Sequence, residues 1–259
     1  MTSMSTTTLS ATPVLIIGAT SGIAQAVAHR LASQGTPLVL AARNDSELQA
    51  IANDLTIRYE ICVKTVAFEA LDFENHQKFI ETCWAEAECE MQGAVVCYGS
   101  LPDQKAAEAD WSIAQQALDI NFTSAVSLLE KLAAKFIAQG HGGYLTVVSS
   151  VAGDRGRQSN YIYGAAKGGL SIYLQGLRNR LYHDDIHVLT VKPGFVYTAM
   201  TAEVLNENSP LVASPDQVAR DICRAIAKRK NVIYTRWFWR CIMSIIKKIP
   251  EWKFKRMKM

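Results

Sequence analysis

Short apolar runs alternate with amphipathic stretches along most of this chain. Pro13–Ile17 (PVLII), Pro37–Ala42 (PLVLAA), Ile61–Phe68, Gly93–Tyr98 (GAVVCY), Gly143–Ser149, Ile186–Lys192 (IHVLTVK) and Val232–Thr235 have the length and apolar character of buried strands. Between them, apolar residues recur at helical spacing. Ile23, Val27 and Leu31 form one stripe, stopped near Gly35. Further helices are predicted over Asp45–Arg58, Phe73–Met91, Trp111–Gln139 and Asn160–Leu181. The Trp111–Gln139 helix turns Leu118, Phe122, Leu128, Leu129, Leu132 and Phe136 toward the core, with Asn121 a polar residue among them. Ser214 and Pro215 are the N-cap and first residue of a last helix running to about Lys228. Strand–helix alternation throughout predicts the α/β class: one doubly wound parallel sheet of about seven strands, Rossmann-type, with helices on both faces. Residues 1–12 form a disordered lead-in, 13–235 a single domain and 236–259 a tail of different composition. The polar stretch Thr201–Ser209 suits a lid.

Composition narrows the classes open to such a fold. At 259 residues with 49% hydrophobic residues, the chain can bury one large core. Six cysteines (Cys62, Cys83, Cys89, Cys97, Cys223, Cys241) form no CxxC pair, and no Cys/His group has zinc-ligand spacing. They predict reduced thiols in a cytoplasmic protein without a metal site. The start of the chain lacks the basic and apolar regions of a signal peptide, and no run approaches the ~20 apolar residues of a membrane span.

Two stretches carry candidate chemistry. The first is a strand, the turn Gly18-Ala19-Thr20-Ser21-Gly22-Ile23-Ala24, and a helix, the form of a dinucleotide phosphate site. There, helix N-terminal amides face a pyrophosphate and glycine permits its close approach. The second strand ends at Arg43, where an acidic residue would select NAD and an arginine accommodates a 2′-phosphate. This points to NADP(H), with NAD(H) as the alternative. The other stretch is VVSSVAGDRGRQSNYIYGAAKG, residues 147–168. Ser150 ends an apolar strand. Tyr163 and Lys167 stand one helical turn apart on one face. A cation beside a phenol favours the phenolate and lowers its pKa, tuning the group for proton transfer. The bland alternative is a packed tyrosine and a solvated lysine.

Together the two stretches make the chain resemble the short-chain dehydrogenase/reductase family over nearly its full length. The family's Thr-Gly-x-x-x-Gly-x-Gly aligns with Ile17 through Ala24, with Ile17 and Ala24 as departures. Of its Asn-Asn-Ala-Gly strand end, only Gly99 survives in Val96-Cys97-Tyr98-Gly99. The resemblance implies catalytic roles for Asn121, Ser150, Tyr163 and Lys167. It implies a cofactor held by Gly18, Thr20, Ser21, Gly22, Ile23, Arg43, Asp72, Gly99, Asn121, Tyr163, Lys167, Pro193, Gly194, Val196 and Thr198. Hydride then passes between nicotinamide and a carbonyl carbon. Tyr163 protonates the oxygen, Ser150 hydrogen-bonds it, Lys167 binds the ribose and lowers the Tyr163 pKa, and Asn121 holds a relay water. A homodimer or homotetramer is the family's usual assembly.

The stretch Gly153–Lys167 and the C-terminus look like the decaprenylphosphoryl-2-keto-ribose reductase subgroup. This implies a lipid-linked keto sugar as substrate and a flavin oxidase as partner. Arg155 and Arg157 would then meet a substrate phosphate, while Ser150 and Tyr163 bind the substrate at its carbonyl oxygen; the alternative is two solvated arginines. From Arg236 onward, eight Lys or Arg and one acid give the tail +7 against +3 for the whole chain, leaving the rest at −4. Interleaved Trp, Phe, Lys and Arg compose an interfacial anchor for anionic lipid, which would place the protein on the inner face of a membrane. The alternative is packing on a neighbouring subunit. Confinement of the basic residues to the tail argues against nucleic acid. Other functions left open are the same chemistry on a soluble ketone (a 3-oxoacyl thioester, steroid-like ketone or free keto sugar) and a non-catalytic NADP(H)-sensing scaffold.

Overall fold

The structure, a computed structural model, describes residues 12–198, 201 and 209–258. Most of the predicted lid at 201–209 and nearly all of the lead-in lie outside these residues. Seven parallel strands form the central sheet. They are β1 (Val14–Ile17), β2 (Leu38–Ala42), β3 (Val63–Ala67), β4 (Gly93–Val96), β5 (Gly143–Val148), β6 (Ile186–Pro193) and, past a short ribbon of β7 (Phe195–Val196) and β8 (Val212–Ala213), β9 (Val232–Thr235). Their order is β3-β2-β1-β4-β5-β6-β9, so the connection reverses direction between β1 and β4. In such sheets the crevice at the reversal, beyond the strand C-termini, is where ligands bind.

Period-two alternation divides the core. Val14 and Ile16 of β1 face one layer with α1 (Gly22–Ala32), α2 (Asp45–Tyr59) and α8 (Pro215–Ala227). Leu15 and Ile17 face the other, with α3 (His76–Ala87), α6 (Ser124–Gln139) and α7 (Tyr161–Arg180). Both faces of β1 are therefore dry, which is why its sequence is a continuous apolar run. Helix α8 starts as expected: Ser214 and Gln217 form a reciprocal capping box with Pro215 in the first turn.

Three elements differ from expectation. The Trp111–Gln139 helix is interrupted. It runs as α5 (Trp111–Leu118), a π-helical turn over Asp119–Thr123, then α6. A short helix, α4 (Gln104–Ala109), precedes it, capped by the Asp103 carboxylate on the Ala106 amide. The tail folds into α9 (Phe238–Lys248) and α10 (Glu251–Phe254) and packs on its own chain. Trp239, Met243 and Ile246, spaced four and then three residues apart, are buried with Val151. Composition alone does not distinguish an apolar stripe that meets lipid from one that meets its own body.

Candidate active site

Strand β5 ends at Val148, and Ser149 and Ser150 follow at the sheet's C-terminal edge. A 3-10 turn, Val151–Asp154, leads away, with the Ser150 hydroxyl accepting the Ala152 amide at 3.1 Å. This turn lies backbone-to-backbone on α7. A methyl group at Gly153 would stand 2.5 Å from the Gly168 nitrogen, and one at Gly164 would stand 2.9 Å from the Ala152 oxygen. Only glycine permits that approach, and it brings Ser150 to the face of α7 that carries Tyr163 and Lys167. Ser149 locks the arrangement. It donates to the Lys167 carbonyl at 3.0 Å and lies 2.8 Å from the Ser171 hydroxyl, which bonds the same carbonyl. These positioning residues were missed by sequence reasoning, although Gly164 and Gly168, one turn apart, display the small-residue spacing of a close contact.

The Lys167 ammonium is buried, donates to the Val148 carbonyl at 3.3 Å and lies 5.8 Å from the Tyr163 ring centre. Burial pushes its pKa down from 10.5 to about 8. Burial also raises the Tyr163 pKa, while a hydrogen bond with Ser150 pulls it back. The expectation of a phenol tuned downward by Lys167 is corrected on this point. Desolvation dominates at both groups, and the opposing influence on Tyr163 comes from Ser150.

Asn121 reaches the same place through the π turn. Its amide donates to the Ala117 carbonyl at 2.8 Å and the Ser100 carbonyl at 2.7 Å, and its oxygen accepts the Ser100 amide at 3.2 Å. The π turn widens the helix so that a buried side chain can take a backbone carbonyl of its own preceding turn. A methyl group on Gly99 would meet the Asn121 oxygen at 2.7 Å and the Lys167 nitrogen at 3.3 Å. Gly99, Asn121 and Lys167 thus converge, and Ser150 and Tyr163 are in contact beside them.

The predicted cofactor residues fall along the crevice. Gly18 takes a left-handed φ of 80° directly against the Tyr98 backbone. Ser21 caps α1 by accepting the Ala24 amide at 3.3 Å. The Gly22 and Ile23 amides find no partner among the described residues, leaving donors open at a helix N-terminus, where the partial positive charge suits a phosphate. A methyl group added at Gly22 would stand 3.5 Å from the Thr198 side chain, so the turn faces the chain leaving β6 through Pro193, Gly194 and Val196. Arg43 stands exposed just past β2, without an ion-pair partner among the described residues. Asp72 is exposed past β3 and holds the Asn75 side chain at 2.9 Å. The donors present fit a phosphate-bearing dinucleotide.

The two arginines proposed for substrate are not equivalent. Arg155 turns to the tail. Its guanidinium donates to the carbonyls of Ile246, Lys247 and Ile249 at 2.7–3.1 Å, pairs with Glu251 at 3.0 Å and stacks 3.8 Å over Phe254. Its donors are committed to capping α9, which corrects the reading of it as a substrate ligand. Arg157 is half-buried, its buried Nε finds no partner among the described residues, and burial lowers its pKa. Among the described residues no cluster of metal ligands is present, and all six cysteines are free.

Comparison with known proteins places this geometry. Residues 12–209 match the family model described as short chain dehydrogenase. The chain belongs to the short-chain dehydrogenase/reductase family. It is 36% identical over 247 residues, 95% of this chain and 97% of the relative, to an uncharacterized oxidoreductase of Mycobacterium tuberculosis. It is 34% identical over 245 residues to one of Streptomyces coelicolor, covering 94% of this chain and 95% of that one. Among solved structures it superposes on a short-chain dehydrogenase from Sphingobium yanoikuyae in complex with NADPH, with TM-score 0.77 and 22% identity over 93% and 97% of the two chains. An actinorhodin polyketide ketoreductase with NADPH gives TM-score 0.79 and 19% identity over 88% of this chain and 97% of that one. The protein is an NAD(P)-dependent oxidoreductase of this family. Among its described residues no helix is long and apolar enough to cross a membrane.

Proposed function

We propose that this protein is an NADPH-dependent ketoreductase. The observation that carries the reading is the convergence of Ser150, Tyr163, Lys167 and Asn121 beside a helix N-terminus with open amides. When bound, the cofactor supplies a hydride to the carbonyl carbon. Tyr163, which burial keeps protonated at neutral pH, gives its proton to the carbonyl oxygen, so that hydride and proton together complete the alcohol. Ser150 donates to that oxygen as charge develops. Lys167 holds the ribose side and, with its pKa near 8, exchanges protons near neutrality. Asn121 orders the route by which a proton returns. Arg43 receives the 2′-phosphate that distinguishes NADPH from NADH.

The substrate class favoured is a keto sugar linked to a polyprenyl phosphate, produced by a flavin oxidase, with the protein resting on an anionic membrane face. Support comes from the outward side of the tail. Trp237, Ile245 and Trp252 are 76%, 67% and 62% exposed among Arg240, Lys248 and Lys253. The commitment of Arg155 removes one supposed phosphate ligand and leaves Arg157 the candidate. The test has two arms. NADPH oxidation is followed at the nicotinamide band with keto-pentose lipids and with soluble ketones. Flotation on anionic and neutral liposomes compares the native protein with a Trp237→Ser/Ile245→Ser/Trp252→Ser variant, which leaves the buried stripe intact. Turnover of lipid-linked ketone with anionic flotation lost in the variant is the expected result. Turnover of soluble ketones alone, with no flotation, overturns the lipid assignment. No turnover of any ketone overturns the reductase reading.

A further inference from the structure

Helix α9 touches both walls of the reaction site at once. At its start, Trp239 is 5% exposed and lies on Gly194, where an added methyl group would stand 2.0 Å from the indole nitrogen. Phe195 meets the same indole edge-on at 5.3 Å. Along its length, Met243 and Ile246 pack on Val151, the residue after Ser150. At its end, Arg155, five residues after Ser150, donates to three carbonyls around the last turn. A cation there complements both the open carbonyls and the negative end of the helix. The turn is further tied by Asp154. Its carboxylate, 3% exposed, pairs with Lys192 of β6 and accepts the Tyr234 hydroxyl of β9 at 2.7 Å. Its buried side therefore spans two loops that the sheet alone would not hold together: the serine-bearing turn and the segment leaving β6.

We propose that α9 is a brace on the reaction geometry and that Trp239 is a positioning residue. Seated on Gly194, with Arg155 clamping the far end of the helix, it sets the distance between the Ser150 turn and the Pro193–Val196 segment. This rests on the reductase reading, in which that segment receives the nicotinamide end of the cofactor. The Trp239 indole N–H, which is buried and has no hydrogen-bond partner among the described residues, is the price of placing so large a rigid ring on a glycine.

The test compares Trp239→Phe, Trp239→Ala and Arg155→Lys with Ile57→Ala, an exposed control on α2. Three quantities are read: hydrogen exchange, NADPH affinity by nicotinamide fluorescence, and steady-state kinetics with NADPH deuterated at the transferred position. Trp239→Ala is expected to speed exchange at Ala152–Arg155 and Phe195–Tyr197 while leaving β1 and β4 unchanged. It should lower kcat on the order of tenfold to a hundredfold, expose a larger isotope effect and change KM little, because misplaced reactants slow the chemical step. Trp239→Phe and Arg155→Lys should fall between it and the control. Uniform acceleration of exchange with an unchanged isotope effect would mean that Trp239 only adds stability. Unchanged exchange in both loops would overturn the brace outright. If no ketone is turned over by the native protein, the reductase reading fails, while exchange in the two loops still decides the brace.

Discussion

The two halves of the crevice are built on opposite plans. Around β5 and α7, the polar groups that frame the reaction site are bonded to one another within the chain. Ser149 and Ser171 hold the Lys167 carbonyl, the Lys167 ammonium holds the Val148 carbonyl, and Asn121 holds both sides of Ser100. Around β1 and α1, the Gly22 and Ile23 amides find no partner among the described residues and Arg43 is exposed. The first half fixes reacting groups in advance, so little reorganisation is left for the reaction. The second keeps its donors for a ligand that arrives from water. Fixed geometry belongs where proton transfer is decided, and unspent hydrogen-bonding capacity where affinity is decided.

If this division is right, changes in one half should not read out in the other. Tyr163→Phe should lower turnover by roughly a hundredfold to ten-thousandfold while NADPH affinity stays within a few-fold, measured by stopped-flow and fluorescence titration. Gly153→Ala should damage the prearranged half through its backbone. The added methyl would sit 2.5 Å from the Gly168 nitrogen, with no flexible side chain to yield, so a loss of about 3 kcal/mol is expected in thermal or urea denaturation. Arg43→Ala should weaken NADPH binding by roughly tenfold to a hundredfold, the worth of a charge-assisted phosphate contact, and leave NADH nearly untouched. Equal losses for both cofactors would remove Arg43 from the 2′-phosphate.

The smallest effect concerns pH. Lys167 has a folded pKa of about 8, below its ordinary 10.5, so folding opposes its charge. Below pH 8 the lysine is charged in both states and the cost is fully present. Between the two values the unfolded chain holds more protons, so this contribution to stability improves as pH rises. Lys167→Met should therefore stabilise the cofactor-free protein at pH 7 by about 1–3 kcal/mol, with the advantage shrinking toward pH 10. An advantage that grows with pH would show that the lysine gains rather than loses by being folded.

Much of the fold was legible because β1, β2 and β4 are buried on both faces and so appear as unbroken apolar runs. The meeting of the candidate catalytic residues was legible because Tyr163 and Lys167 share one helix and Ser150 ends a strand, so local spacing predicts it. Helix α4 was hidden by its six-residue length, too short to show a period. The partners of Arg155 lie more than ninety residues away, and a guanidinium looks the same in sequence whether it awaits a phosphate or caps a helix. The inward stripe of α9 had visible helical spacing, but only the surface opposite it, supplied by Val151, decides which way such a stripe turns.

The π turn at Asp119–Thr123 has a consequence for the lineage of the chain. One added residue in a helix rotates everything beyond it by about 100°. That offset lets Asn121 face the crevice while Leu128, Leu132 and Phe136 still face the core. A point substitution between Trp111 and Gln139 is compatible with this offset, because it leaves the residue count unchanged. A single-codon deletion inside the turn is not: it must either swing the asparagine away or pull the apolar stripe out of the sheet layer. Length, more than residue identity, is therefore what descent can least afford to change in this helix.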